Sequence, residues 1–241
     1  MIIGLCFKGY YNENYIKNGF YIILMISVLI PIYNGIEFIE ESVSSVLDQT
    51  FLEWEIIIGI NGHKEGSDIF LTAKEYEKRS DKIRVFDFYN IKGKSDALNE
   101  MVKYCSYDYV AILDVDDIWH KDKLLKQVGA LPEYDVVGSR CIYFGDKIDI
   151  PYNPIGDITG FDFLRVNPII NSSVVLRKEL CFWDNSPNCV EDYDLWLRLW
   201  RAGKRFYNCS EVLVKHRLHS ASAFNNTNHQ YVGGLIDKYS I

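Results

Sequence analysis

The sequence predicts an α/β fold, a mixed sheet flanked by helices and continued by a less regular half. Three observations predict it. Apolar runs of strand length recur between positions 26 and 113, each followed by a turn and a stretch of helical periodicity. The runs are almost unbroken and do not alternate with polar residues, as expected of strands covered on both faces. After Gly129 this rhythm gives way to single strands separated by loops, marked by Asn153-Pro154, Asn167-Pro168 and Ser186-Pro187.

The elements follow in order. Positions 1–24 show weak periodicity around Lys8, Glu13 and Lys17 and read as an N-terminal extension whose place in the fold is left open, with Met25 as an alternative start. Ile26-Ser27-Val28-Leu29-Ile30-Pro31-Ile32 is a buried strand and Tyr33-Asn34-Gly35 its turn. Apolar residues at 36, 39, 43, 46 and 47 make 36–47 an amphipathic helix, favoured at its start by Glu37, Glu40 and Glu41. Strands are expected at 55–60, 83–88 and 107–113, and helices at 67–78, capped by Ser67, and at 95–104, after the basic loop Ile91-Lys92-Gly93-Lys94. A helix over 121–129 follows, then strands at 135–144 and 171–177, with a short helix at 160–166 between them. Positions 191–203 form a strong helix with Leu195, Trp196, Leu199 and Trp200 facing the core and Gly203 ending it. A last strand at 212–216 leads into Arg217-Leu218-His219 and a polar tail. The main domain is expected over 25–222 and the tail over 223–241.

Composition narrows the function classes. The 241 residues carry a formal charge of −7 and no run of Lys or Arg, which argues against a nucleic-acid partner. The six cysteines form no CxxC pair and read as buried thiols of a reducing compartment, not as a disulfide frame or a zinc site. The longest apolar run, 20–32, is broken by Ser27 and Pro31 and falls short of the roughly 20 residues a membrane span needs. A cytoplasmic location without a transmembrane segment is expected, with peripheral membrane association left open. Seventeen Tyr and thirteen Phe exceed what a core of this size requires, so some are expected to line a groove.

The run Val110-Ala111-Ile112-Leu113 stops at Asp114-Val115-Asp116-Asp117, three carboxylates in four positions. Crossovers between parallel strands bring the loops after each strand to one sheet edge, so Asn34, Asn61, Lys94 and this cluster converge where α/β sheets bind ligands. So much negative charge there suits a divalent cation holding a phosphorylated ligand. A solvated turn, with Asp117 capping the next helix, is the alternative.

Five motifs in order carry a resemblance: Ser27 to Asn34, Gly93-Lys94-Ser95-Asp96-Ala97-Leu98-Asn99, Leu113-Asp114-Val115-Asp116-Asp117, Glu191-Asp192-Tyr193-Asp194-Leu195-Trp196-Leu197-Arg198 and His216-Arg217-Leu218-His219. Together they resemble the GT-A, family 2 glycosyltransferases over most of the chain. The resemblance implies transfer of a sugar from a nucleotide-diphosphate sugar to the hydroxyl of a glycan, lipid or protein acceptor, with Mn²⁺ or Mg²⁺ neutralising the leaving diphosphate. It assigns Asp116 to the metal and Asp114 to the donor or the metal's water shell. Asp192 becomes the general base, with Glu191 orienting it or the acceptor. One base without a second positioned carboxylate suits an inverting displacement.

Pro31, Tyr33 and Asn34 follow the strand where this family holds the nucleoside; Tyr33 either stacks on the base or ribose or packs in the turn. Lys94 and Asp96 either face a base or diphosphate or begin a solvated helix. Arg217 and His219 match a basic motif that closes over the diphosphate or completes metal coordination. The sequence departs from the family at Gly59-Ile60-Asn61-Gly62-His63, where two acidic residues usually stand. Ile60 cannot pair with a uracil N3–H, whereas the Asn61 side chain can. UDP is the default nucleotide, with GDP and dTDP open. The other function class is a non-catalytic nucleotide-sugar-binding module. A nucleotidyltransferase would want a Gly-rich basic turn after the first strand, which Tyr33-Asn34-Gly35 does not supply.

Overall fold

The computed structural model describes residues 16–17, 20–21, 24–186, 189–220 and 229–240. Expectations placed on positions before 16, including the thiol of Cys6, lie outside the described residues. Ile16–Lys17 and Phe20–Tyr21 pair with each other and not with the main sheet.

Strands β1 (Ile26–Ile32) and β2 (Trp54–Asn61) are buried along their whole length. Beside them lie β3 (Ile83–Phe88) and β4 (Tyr109–Ile112), all four parallel. The period of two divides their side chains between two cores. Ile26, Val28, Ile30 and Ile32 face α1 (Ile39–Leu47) and α2 (Asp68–Lys74) through Val43, Val46 and Ala73. Leu29 and Ile57 face the other way, toward Leu98 and Met101 of α3 (Lys94–Met101). Gly59 permits that approach: a Cβ there would stand 2.7 Å from Met101 Sδ and 2.9 Å from the Phe88 ring.

The second half extends the same sheet. After β5 (Ile118–Trp119) and α4 (Lys123–Val128) come β6 (Val136–Gly145), β7 (Gly156–Asp157), β8 (Val175–Arg177), α5 (Glu191–Arg201), β9 (Phe206–Leu218) and α6 (His229–Tyr239). The sheet order is β3-β2-β1-β4-β8-β6-β9-β5, with β7 on β9. Short β8 is antiparallel to both neighbours, so the sheet is mixed. The register of β9 against β5 matters most. Val214 pairs with Trp119 and Lys215 with Ile118 in antiparallel sense, so the next two residues, His216 and Arg217, run back alongside Asp117 and Asp116.

Four expectations are corrected. Positions 160–166 form turns and no helix, because the Asp162 carboxylate accepts the Leu164 N–H at 3.1 Å and competes with helical bonding. The strand expected from 171 starts as a single 3-10 turn, Asn171–Ser173, in which the Ser173 hydroxyl bonds Ile170 O. Asp117 does not cap α4, which begins only at Lys123; its carboxylate is buried and accepts from His216 and the Arg217 N–H instead. The polar C-terminal stretch contains α6, which buries Leu235 against the α5 side of the sheet.

Candidate active site

The site is built at the carboxyl edge of β1, β2 and β4, where the parallel strands end. The β4 ladder stops at Ile112, and the chain turns with the Asp114 N–H donated to the Ser172 hydroxyl at 3.0 Å. This aims the Asp114 carboxylate at the start of α3. Lys94 Nζ lies 2.6 Å from its Oδ1 and 3.6 Å from Glu191 Oε1, and Asn171 Nδ2 donates to its Oδ2 at 3.1 Å. Burial alone would raise the Asp114 carboxyl, but Lys94 and Asn171 outweigh it and hold the group below the usual carboxylate range. Burial likewise opposes the charge on Lys94, and Asp114 and Glu191 more than restore it.

Asp192 stands one residue further into α5. Its Oδ1 accepts the Tyr193 N–H at 2.7 Å, and Asn167 Nδ2 lies 3.4 Å from its Oδ2. Burial and the neighbouring Glu191 push its carboxyl up to about 6, against the opposing pull of Lys94. Such a group is ionised at neutral pH yet basic enough to take a proton.

The third part is Asp116. Its Oδ2 lies 3.0 Å from His219 Nε2, and its backbone carbonyl accepts Arg217 Nε at 2.9 Å. Burial, Asp117 and Asp114 all raise its carboxyl, so local cationic groups do not fully compensate this corner. A carboxylate and an imidazole held together suit a divalent cation with oxygen and nitrogen ligands, whereas Asp114, the third ligand expected, turns its carboxylate to Lys94 and Asn171. Arg217 is tightly held: its guanidinium stacks 4.4 Å from both the Phe38 and Phe144 ring centroids and bonds Glu41 Oε1 at 2.8 Å. Asp117 Oδ2 lies 2.9 Å from His216 Nδ1, whose ring is raised to about 9 because Asp117 outweighs burial.

The sequence profile of glycosyl transferase family 2 matches residues 27–174. The chain belongs to that family. The putative teichuronic acid biosynthesis glycosyltransferase TuaG of Bacillus subtilis is 32% identical over 84% of this chain and 82% of its own length. The O-antigen biosynthesis glycosyltransferase WbnJ of Escherichia coli is 31% identical over 82% and 81%. Among solved structures, S. aureus TarS in complex with UDP-GlcNAc aligns at a TM-score of 0.73 with 16% identity, over 90% of this chain and 66% of that one. The mannosyltransferase PcManGT of Pyrobaculum calidifontis, with GDP-Man and Mn²⁺, aligns at 0.68 over 88% and 63%. The chain thus spans about two thirds of the solved neighbours. This protein is a glycosyltransferase, and its fold is GT-A.

In this glycosyltransferase Lys94, Asp114, Glu191 and Asp192 stand together, as do Asp116, Arg217 and His219. Pro31 is buried inside β1 opposite Gly59, while Tyr33 and Asn34 lie exposed just beyond. The Tyr33 ring stacks on His63 at 5.2 Å, and its backbone carbonyl lies 2.5 Å from His63 Nε2. Asn61 is buried and donates to Gly93 O at 3.4 Å. Asp96 is drawn aside, accepting from Asn185 at 2.7 Å. Trp183 and Tyr193 are buried in the core, and Asn171 serves Asp114.

Sequence reasoning missed Ser172, Asn167, Glu41 and Phe38. The polar triplet Asn171-Ser172-Ser173, interrupting an apolar run, was the available signal for the first. Nothing local marks Glu41 or Phe38, which meet Arg217 only through the fold. Among the described residues no helix is long and apolar enough to cross a membrane.

Proposed function

We propose that this glycosyltransferase moves a sugar from a nucleotide-diphosphate sugar to an acceptor hydroxyl by a single, inverting, metal-dependent displacement. The observation that carries it is Asp192, raised to about 6 at the start of α5, beside the Lys94–Asp114 pair. The acceptor O–H gives its proton to Asp192. Its oxygen bonds the anomeric carbon as the bond to the diphosphate oxygen breaks, and the electron pair leaves with the nucleoside diphosphate. Asp116 and His219, with Asp114, would hold Mn²⁺ or Mg²⁺, which when bound stabilises the negative charge gathering on the diphosphate.

Pro31, Tyr33, Asn34 and Asn61 border the nucleoside. Lys94, Asp96 and Arg217 serve the base or diphosphate end, and Glu191 orients Asp192 or the acceptor. The Asn61 bond to Gly93 O uses its amide donor and leaves its carbonyl oxygen for the N3–H of uracil or thymine or the N1–H of guanine. UDP stays the default, supported by the UDP-GlcNAc complex of TarS, while PcManGT supports GDP. The names of TuaG and WbnJ support a growing polysaccharide as acceptor. A cytoplasmic site of action and a main domain over 25–222 belong to the same proposal.

The test is nucleotide release from a panel of nucleotide sugars, with Mn²⁺ or EDTA, for the native protein and Asp192→Asn. Release from one donor that needs metal, and falls on the order of 10²- to 10⁴-fold in Asp192→Asn with donor affinity retained, is expected. Near-normal turnover in that variant overturns the base assignment. Absence of metal-dependent release from every donor would favour a non-catalytic nucleotide-sugar-binding module.

A further inference from the structure

Next to Asp192 along the chain, three ligand-type side chains crowd together: Asp184, Cys189 and Asp194 have oxygen or sulfur atoms all within 4.8 Å of one another. The positive charge there comes from the protein itself. Lys238 of α6 reaches in, its Nζ 2.8 Å from Asp194 Oδ1 and 3.4 Å from Asp184 Oδ2. The Tyr239 hydroxyl donates to the same Asp194 oxygen at 2.8 Å, and Arg201 of α5 donates to the Tyr239 carbonyl. Asp194 is 1% exposed, so its oxygens are held by these partners and not by water, with Arg198 Nε 4.0 Å from Oδ2.

The two carboxylates that Lys238 joins flank Asp192. Asp194 lies half a turn along α5, and Asp184 belongs to the strap that precedes it. That strap is zipped to α3. Asn99 exchanges two bonds with the Trp183 backbone, at 2.7 and 2.9 Å, and the Ser95 hydroxyl donates to Asp184 O at 2.9 Å. Lys94, the cation that touches Asp114 and Glu191, opens the same α3. One ammonium therefore ties the helix carrying Asp192 to the helix carrying Lys94.

We propose that α6 is a positioning element for the transfer reaction, and that Lys238, braced by Tyr239, staples Asp184 to Asp194 of the base-bearing helix so that Asp192 keeps its place relative to Lys94 and the donor. Lys238 touches no reacting atom. Its loss leaves the donor contacts of β1, β2 and the acidic cluster intact and loosens only the base. The inference rests on the assignment of Asp192 as base.

The test compares Lys238→Met, Lys238→Arg and Tyr239→Phe in the full chain, with Asp192→Asn alongside, reading kcat, donor KM and thermal midpoint. Lys238→Met is expected to lower kcat by about 10- to 100-fold, the scale of a small misplacement of a reacting group, with donor KM within about twofold. Lys238→Arg, which can still bridge two carboxylates, restores most of kcat, and Tyr239→Phe gives a smaller loss of the same kind. Unchanged kcat in a folded Lys238→Met protein overturns the inference, as does a kcat loss that Lys238→Arg fails to rescue. If Lys238→Met does not fold, Tyr239→Phe decides by the same split: a kcat loss at constant KM supports the inference, and native kinetics overturn it. Asp192→Asn separates the two levels. Retained activity there defeats the base assignment itself, while an inactive Asp192→Asn beside a fully active Lys238→Met defeats only the staple.

Discussion

At the scale of single residues, the site works by setting neighbouring carboxylates apart. Asp114 is drawn down by Lys94 and Asn171, whereas Asp192 is pushed up to about 6 by burial and Glu191. The Glu191-Asp192 pair stood out through the family resemblance, since acidic residues at a helix start also serve simple dipole complementation, and the sequence left open whether helix dipole or burial would dominate. Burial wins, because the Lys94 charge is already shared between Asp114 and Glu191. The sign for activity follows. Asp192 as the proposed base must be ionised, so kcat should be level above about pH 7 and fall toward tenfold per unit below about pH 5, through the raised Asp192 pKa. A pH–rate profile at saturating donor and metal checks this; a limb near 4 would mean that Asp192 is solvated like an ordinary carboxylate.

At the scale of elements, registers and turns deliver the residues. The antiparallel pairing of β9 with β5 returns His216, Arg217 and His219 to the acidic turn. The His-Arg-Leu-His motif was visible in the sequence, but its partners Glu41, Phe38 and Phe144 were not, since they are 176, 179 and 73 residues from Arg217 in sequence. Asp117 was expected to cap α4 and instead anchors this return. A helix cap needs only a local N–H, and here a distant imidazole and N–H offered a buried carboxylate more. The turn after β2 has a similar role beside Tyr33. Gly62 sits at φ +75°, and a Cβ there would stand 2.9 Å from the Tyr33 ring. Gly62→Ala should cost about 1–2 kcal/mol of left-handed strain, a fall of roughly 2–8 °C in thermal midpoint, and raise donor KM by displacing Tyr33. Calorimetry and donor titration check it; an unchanged KM would remove Tyr33 from the donor site.

At the scale of the whole molecule, chemistry and stability lie at opposite edges of the parallel strands. The carboxyl edge collects the acidic groups of the site. At the other edge Glu55, buried, accepts from Ser27 Oγ at 2.7 Å, the Ser106 N–H at 2.6 Å and Arg84 at 2.7 Å, joining β1, β2, β3 and the entry to β4. Burial alone would raise the Glu55 carboxyl, but the Ser106 N–H, Ser27 and Arg84 outweigh it and lower the group. A lowered carboxylate stabilises above its unfolded pKa and loses that contribution as pH falls through its folded value. Glu55→Gln should therefore destabilise the protein at pH 7 by about 1–3 kcal/mol, the range for a broken charged hydrogen-bond set, with the deficit shrinking below about pH 4. Denaturant unfolding at several pH values checks this, with kcat of the folded variant unchanged.

The sequence by itself determined the α/β class and the strands up to residue 113, because buried strands leave period and composition signals within a few residues; the family was legible only through the resemblance that its ordered motifs carry, the acidic, Glu-Asp and His-Arg-Leu-His stretches among them. Only the tertiary structure decided which carboxylate stays down and which is raised, that Asp117 meets His216, and that α6 reaches Asp194. Those outcomes depend on burial and on charges brought together across the sheet, and no local pattern encodes a partner that the fold supplies from a distant part of the chain.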